Sequence, residues 1–315
     1  MPKVPYTKPA LNYADQLQRL KSRGLIIEND KKALHLLQNI SYYRLSGYWY
    51  PLLEAPKHAH QFKPGSTFEN AFSLYCFDRE LRKLISGELE KIEVAVRAKM
   101  IYTLWHSHDA FWYQNPSLFT NRNKAASTIK KLRKENVRSD EEFVKAFNDK
   151  YSDPLPPACI ILEISSFGNL SAIYSNLKPG RNKRKIANDF GVDDRTFASW
   201  LHSLTYVRNI CAHHSRLWNK EMGISPRIPT KPQRQFLNKT MLPNPDPGRP
   251  PILNNNKAYF LLSIVIYLLD IINPKHSFKK KLNQLFRTYP MADLKAMGFP
   301  SEWEREPLWN GSEGQ

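Results

Sequence analysis

Cysteine is scarce in this chain: three in 315 residues, Cys76, Cys159 and Cys211, odd in number and far apart. That excludes a disulfide framework and a cysteine-rich zinc site, and it fits a reducing cytoplasm. Long apolar runs are missing as well. The only candidate, Ala258 to Ile272 (AYFLLSIVIYLLDII), is shorter than the roughly 20 residues of a spanning helix and contains Asp270, so it reads as a buried core helix and no membrane is expected. The start, MPKVPYTKPALNY, lacks the apolar core of a signal peptide. Histidines pair at His58 with His60 and at His106 with His108, but no carboxylate or cysteine spacing completes a metal site, and no cofactor is expected. The GxxxxGK phosphate-loop pattern is absent, which leaves a nucleotide hydrolase without support. Sustained strand-like alternation is absent too.

What the chain has is positive charge and helical periodicity. Lys and Arg number 47 against 29 Asp and Glu, a formal charge of +18, more than solubility needs. A polyanion is the natural partner. Apolar residues recur at helical spacing almost throughout, so the fold class is all-α. Residues 1–62 read as an N-terminal helical lobe, 63–290 as a helical core, and 291–315 as a C-terminal tail. In the lobe Gly24 can stop a first helix and Asp30 cap a second, and the aromatic run Ser41 to Leu53 supplies rings for packing. In the core, Thr67 can cap a helix reaching about Trp105, with Gly87 marking a bend, and Glu93 and Arg97 form an i,i+4 pair that decorates its surface. Ser139 and Glu142 suggest a capping box. The segment Ala158 to Leu177 reads as one apolar helix in which Glu163 either pairs with a core arginine, the favoured reading, or supports the active site. Asp193 or Asp194 can cap a helix from about Arg195 to Arg216, and 225–251, with eight prolines, is an excursion.

The stretch TYVRNICAHHSRLWN, Thr205 to Asn219, puts groups into an apolar-periodic segment that such segments normally exclude. On a helix Asn209 and His213 share a face, with Arg208 beside them. Arginine offers a permanently charged fork for phosphate oxygens, histidine moves protons near neutral pH, and asparagine can orient an imidazole or a hydroxyl. This suffices to cleave RNA without metal, by attack of the 2′-hydroxyl on the adjacent phosphorus. His214 also meets the spacing; His213 is favoured because it shares the face of Asn209. Three basic clusters are candidates for RNA phosphates: the loop Lys178, Arg181, Lys183, Arg184 and Lys185; Lys130, Lys131, Arg133 and Lys134; and Lys279 to Lys281.

The elements YYRLSGYWYPL (Tyr42 to Leu52), YCFDRELRKLI (Tyr75 to Ile85), EISSFGNLSAIY (Glu163 to Tyr174) and VRNICAHHSRLWN (Val207 to Asn219) together resemble the bacterial abortive-infection proteins of the AbiD/AbiF type, within the HEPN superfamily. The resemblance runs in order from about Leu11 onward. It implies a HEPN-type helical bundle, a role in phage defence, and an Arg-x4-6-His ribonuclease motif that becomes a composite site when two HEPN domains pair. On this sequence the motif falls on Arg208, Asn209 and His213. Because one such motif is present, the composite site implies a homodimer. The alternative is a non-catalytic RNA-binding module that holds a structured noncoding RNA, as some members of the family resemble partners of such an RNA.

Overall fold

The structure is a computed structural model that describes residues 5–7, 9–238, 240–242 and 251–310. The fold is all-α. Contacts divide the chain into two compact units: residues up to Leu81 with Gln284–Asp293, and Arg82–Asn283 with the residues from Leu294 on.

The first unit begins with α1 (Tyr13–Ser22), α2 (Asp30–Ile40) and α3 (Tyr42–Trp49). Asn12 caps α1, its side chain accepting from Asp15 N at 2.8 Å, and Gly24, at φ +89°, follows its end. Asn29 rather than Asp30 caps α2, accepting from Lys32 N at 2.9 Å; Asp30 is the first helical residue, where its charge still favours the helix N-terminus. Leu20, Leu37, Leu45, Trp49 and Phe68 belong to one apolar core, with the Tyr42 ring meeting Trp49 edge-on at 5.0 Å. Tyr42, Tyr48 and Trp49 of the aromatic run thus pack, whereas Tyr43 and Tyr50 are exposed.

Helix α4 (Phe68–Ser107) is 40 residues long and unbroken through Gly87, and Thr67 caps it by accepting from Asn70 N at 3.0 Å. Residues up to Leu81 belong to the first unit and the rest to the second. There Ile85, Leu89, Ile92, Val96, Met100 and Leu104 form a buried stripe at three- and four-residue steps, so helix period and burial agree.

The second unit continues with α5 (Arg122–Arg138) and α6 (Glu142–Lys150). The expected capping box does not form: Ser139 ends α5, and its Oγ accepts from Glu141 N at 3.3 Å, one residue before α6. The apolar segment from Ala158 is likewise not one helix. It breaks into α7 (Ala158–Ile161) and α8 (Phe167–Asn176) because Ser166 caps α8, its Oγ accepting from Asn169 N at 3.3 Å; Glu163 and Ser165 lie in the turn between. Next come α9 (Arg181–Asn188) and α10 (Asp194–Ala212), which packs against α8, α9 and α11 (Ala258–Ile272). Asp193 caps α10, accepting from Arg195 N and Thr196 N at 3.0 and 2.9 Å. Gly191, at φ +72°, turns the chain between α9 and α10; a Cβ there would lie 2.6 Å from the Tyr267 hydroxyl, which donates to the Gly191 carbonyl.

Helix α11 is buried from Ala258 to Leu269, as its all-round apolarity requires. Among the described residues no helix is long and apolar enough to cross a membrane. The proline-rich excursion is non-helical where described and is tied to α10: Trp200 Nε1 donates to the Arg227 carbonyl at 2.9 Å and Arg227 N donates to Ser199 Oγ at 3.0 Å. A two-residue antiparallel pairing joins Met241–Leu242 to Ile252–Leu253; residues 239 and 243–250 of the excursion lie outside the described residues. Helix α12 (Phe278–Thr288) runs from the second unit into the first, and α13 (Pro307–Asn310) closes the second, its Trp309 stacking on Tyr259 of α11 at 5.6 Å.

Candidate RNA-processing site

The end of α10 decides what the two adjacent histidines do. The helix stops at Ala212, not near Arg216. His213 is the C-cap, its N–H still donating to the Asn209 carbonyl at 2.9 Å, so it stays stacked one turn above Asn209. His214 has φ +54°, its N–H donates to Cys211 O, and Ser215 N reaches back to Ile210 O at 2.9 Å. This pair of backward bonds is a Schellman ending, with His214 in the left-handed position that glycine usually fills. Histidine is among the few side chains that enter this region with any frequency. One histidine therefore continues the face of Asn209 and its neighbour turns the chain.

Arg208 is partly buried, whereas Asn209 and His213 are exposed. Arg208 Nη1 donates to Asn209 Oδ1 at 3.3 Å, so the asparagine first orients the arginine. Behind them lies a charged pair that its i,i+4 spacing alone would place on the surface. Arg97 of α4 is 8% exposed; its Nη2 donates to Glu93 Oε1 at 2.9 Å and to the Ser165 carbonyl at 3.1 Å, and its Nη1 lies 3.5 Å from Glu163 Oε2. The expected pairing of Glu163 with a core arginine is thus present, although half of that carboxylate remains in water. Burial raises the Glu93 pKa above the ordinary carboxylate value, and the positive charges of Arg97 and Arg208 hold it back in part. Glu93 thus couples electrostatically to the arginine of the motif. Arg97 Nε and the hydroxyls of Ser165 and Thr205 are buried with no hydrogen-bond partner among the described residues. Arg82 braces the turn past His214, donating to the Ser215 carbonyl at 3.3 Å. The i,i+4 spacing of Glu93 and Arg97 and the lone acid in CIILEIS were the available signals; neither spacing says what the helix faces.

The basic candidates separate into groups. Lys130, Lys131, Arg133 and Lys134 all lie on α5. The segment Lys178 to Lys185 is not a loop throughout: it becomes helical at Arg181. Lys183, counted there as a phosphate contact, turns inward. It is 8% exposed, its Nζ donates to the carbonyls of Ser175 and Leu177 at 3.0 and 2.8 Å, and burial lowers its pKa. It satisfies the carbonyl end of α8, where a cation is favoured. Lys178, Arg181, Arg184 and Lys185 remain exposed. Lys279, Lys280 and Lys281 lie in the first turn of α12, where Lys279 Nζ donates to Leu308 O at 3.3 Å.

A family model of Abi-like proteins matches residues 35–219, more than half of the chain, a range that includes Glu93, Arg97, Arg208, Asn209 and His213. The chain belongs to the Abi-like family. Membership points to abortive-infection phage defence. No curated protein and no solved structure matches the chain.

Proposed function

We propose that this protein is a metal-independent HEPN endoribonuclease of abortive infection, acting in the cytoplasm as a homodimer. The observation that carries the reading is the end of α10, where Asn209 and His213 stand one turn apart on one face, with Arg208 beside them, bonded to Asn209 and coupled to the partly buried Glu93. In the reaction the RNA 2′-hydroxyl loses its proton and attacks the adjacent phosphorus, the bond to the 5′-oxygen breaks, and that oxygen takes up a proton. The products are a 2′,3′-cyclic phosphate and a 5′-hydroxyl. Arg208 balances the negative charge that grows on the phosphoryl oxygens, and His213 transfers a proton.

Two proton transfers call for two groups, and His214 is committed to the helix ending. A second copy supplies the other imidazole. A stripe of exposed or half-exposed apolar side chains on α4, Val94, Ala98, Ile101, Tyr102 and Trp105, follows Glu93 along the helix and offers a face for that copy. The second reading, an RNA-holding module without cleavage, is favoured by the exposed lysines and arginines of α5 and α9, which suit a long or folded RNA.

Incubation of purified protein with unstructured RNA, with and without chelator, tests the reading. Wild type yields 5′-hydroxyl fragments in both conditions, and neither Arg208→Ala nor His213→Ala does. Fragments bearing 5′-phosphate, or cleavage by the variants, would refute it; RNA bound intact by the wild type selects the holding module.

A further inference from the structure

A cavity of about 200 Å³ opens where the C-terminal end of α4 meets the start of α9. Its floor is the buried Leu104, Leu177 and Lys183, and its rim carries Lys178 and Arg181, both exposed. None of its lining residues is acidic. The wall is already held in place: Ser107 Oγ donates to Asn182 Oδ1 at 3.1 Å, the Asn182 amide meets His108 Nε2 at 3.2 Å, and Lys178 N donates to the Leu118 carbonyl at 2.9 Å. Gly180, the residue before α9, caps it with no side chain, and no acid stands in its first turn. The leading amides of α9 are therefore left to whatever enters.

We propose that this cavity binds a terminal phosphate, the phosphomonoester of a nucleotide or of an RNA end. Two exposed cations, Lys178 and Arg181, stand beside the leading amides of α9, a set that matches the dianion of a monoester better than the single charge of an internal diester. A space of about 200 Å³ admits a phosphate with its sugar. The apolar Leu118 and Leu177 give the sugar a surface to rest on. From Arg97 to Leu104 is seven residues, roughly 10 Å along α4, so the cavity is separate from Arg208 and binding in it does not depend on cleavage.

The test uses wild-type protein and 2′-O-methyl ten-mers, which cannot be cleaved, carrying a 5′-phosphate, a 3′-phosphate or hydroxyls at both ends, with uridine monophosphate and uridine as free probes. At fixed salt one phosphorylated probe is expected to bind about tenfold tighter than its hydroxyl counterpart. A difference among ten-mers identifies an RNA end as the source; a difference for uridine monophosphate alone identifies a free nucleotide. Lys178→Ala with Arg181→Ala, both exposed positions, should erase the difference. Gly180→Leu should erase it too, since a Cβ at Gly180 meets nothing nearer than the Lys178 carbonyl at 3.9 Å and the added side chain can be housed. Equal binding of all phosphorylated and hydroxyl probes, or a preference that survives these variants, overturns the proposal.

Discussion

Replacing Arg97 by methionine should be costly, and the structure says in which parts. The guanidinium is 8% exposed and answers two acceptors at hydrogen-bond distance, Glu93 Oε1 and the Ser165 carbonyl. Methionine fills much of the volume but leaves the carbonyl without this donor, a loss of about 1 kcal/mol. It also leaves the Glu93 carboxylate without its main positive neighbour in a site where burial already disfavours its charge, which adds roughly 2 kcal/mol. Glu163 contributes little, because half of it is in water and the separation is 3.5 Å. The expected cost of Arg97→Met is therefore about 3 kcal/mol, read as the shift in urea midpoint followed by tryptophan fluorescence. Adding Glu93→Gln to Arg97→Met should restore about 1 to 2 kcal/mol, because the uncompensated charge is gone and only the carbonyl remains unanswered. A cost below about 1 kcal/mol for Arg97→Met, or no recovery in the double variant, would refute the reasoning.

Other expectations follow from the same geometry. The Glu93 pKa is raised in the folded protein, so the folded state binds this proton more tightly than the unfolded chain and stability falls as pH rises from the ordinary value of about 4.3 through the raised one. Glu93→Gln alone should match wild type below that window and be the more stable protein above it, as urea midpoints across pH 4 to 8 will show. His214→Asn, which keeps a side chain tolerant of φ +54°, should retain RNA cleavage, whereas His213→Asn should lose at least a hundredfold in rate. Equal losses at both positions would show that the helix ending does not separate their roles. Placing glutamate at both Tyr102 and Trp105 should shift sedimentation toward monomer and abolish cleavage together; a monomer that still cleaves at full rate would sink the composite site.

Much of the candidate site was legible in the chain. The all-α fold, a cap for α10 at Asp193 or its neighbour Asp194, and the presence of Arg208, Asn209 and His213 at the end of one helix all follow from local periodicity and capping chemistry, which are properties of neighbouring residues. The stop at Ala212 was not legible, because histidine stands where glycine would have announced it. Glu93 and Arg97 looked like any exposed helical pair, since what buries Arg97 is the Ser165 turn, 68 residues away. Lys183 was misplaced for the same reason: its basic neighbours argue for solvent, and only the approach of the α8 carbonyls shows that it points inward. Ser139 offered two roles at one position, and the end of α5 took precedence over the start of α6.

The clamp on Arg227 carries a consequence for the order in which this chain acquires its structure. Its two partners, Ser199 and Trp200, are consecutive residues of α10, and both bonds can form only once that turn of helix exists. The excursion must then dock after α10, closing a loop of nearly thirty residues onto a surface already in place. Its amide becomes a clock for the helix that carries Arg208: hydrogen exchange at Arg227 N–H should slow no earlier than exchange within α10, and any ligand that tightens α10 should be reported at a residue it does not touch.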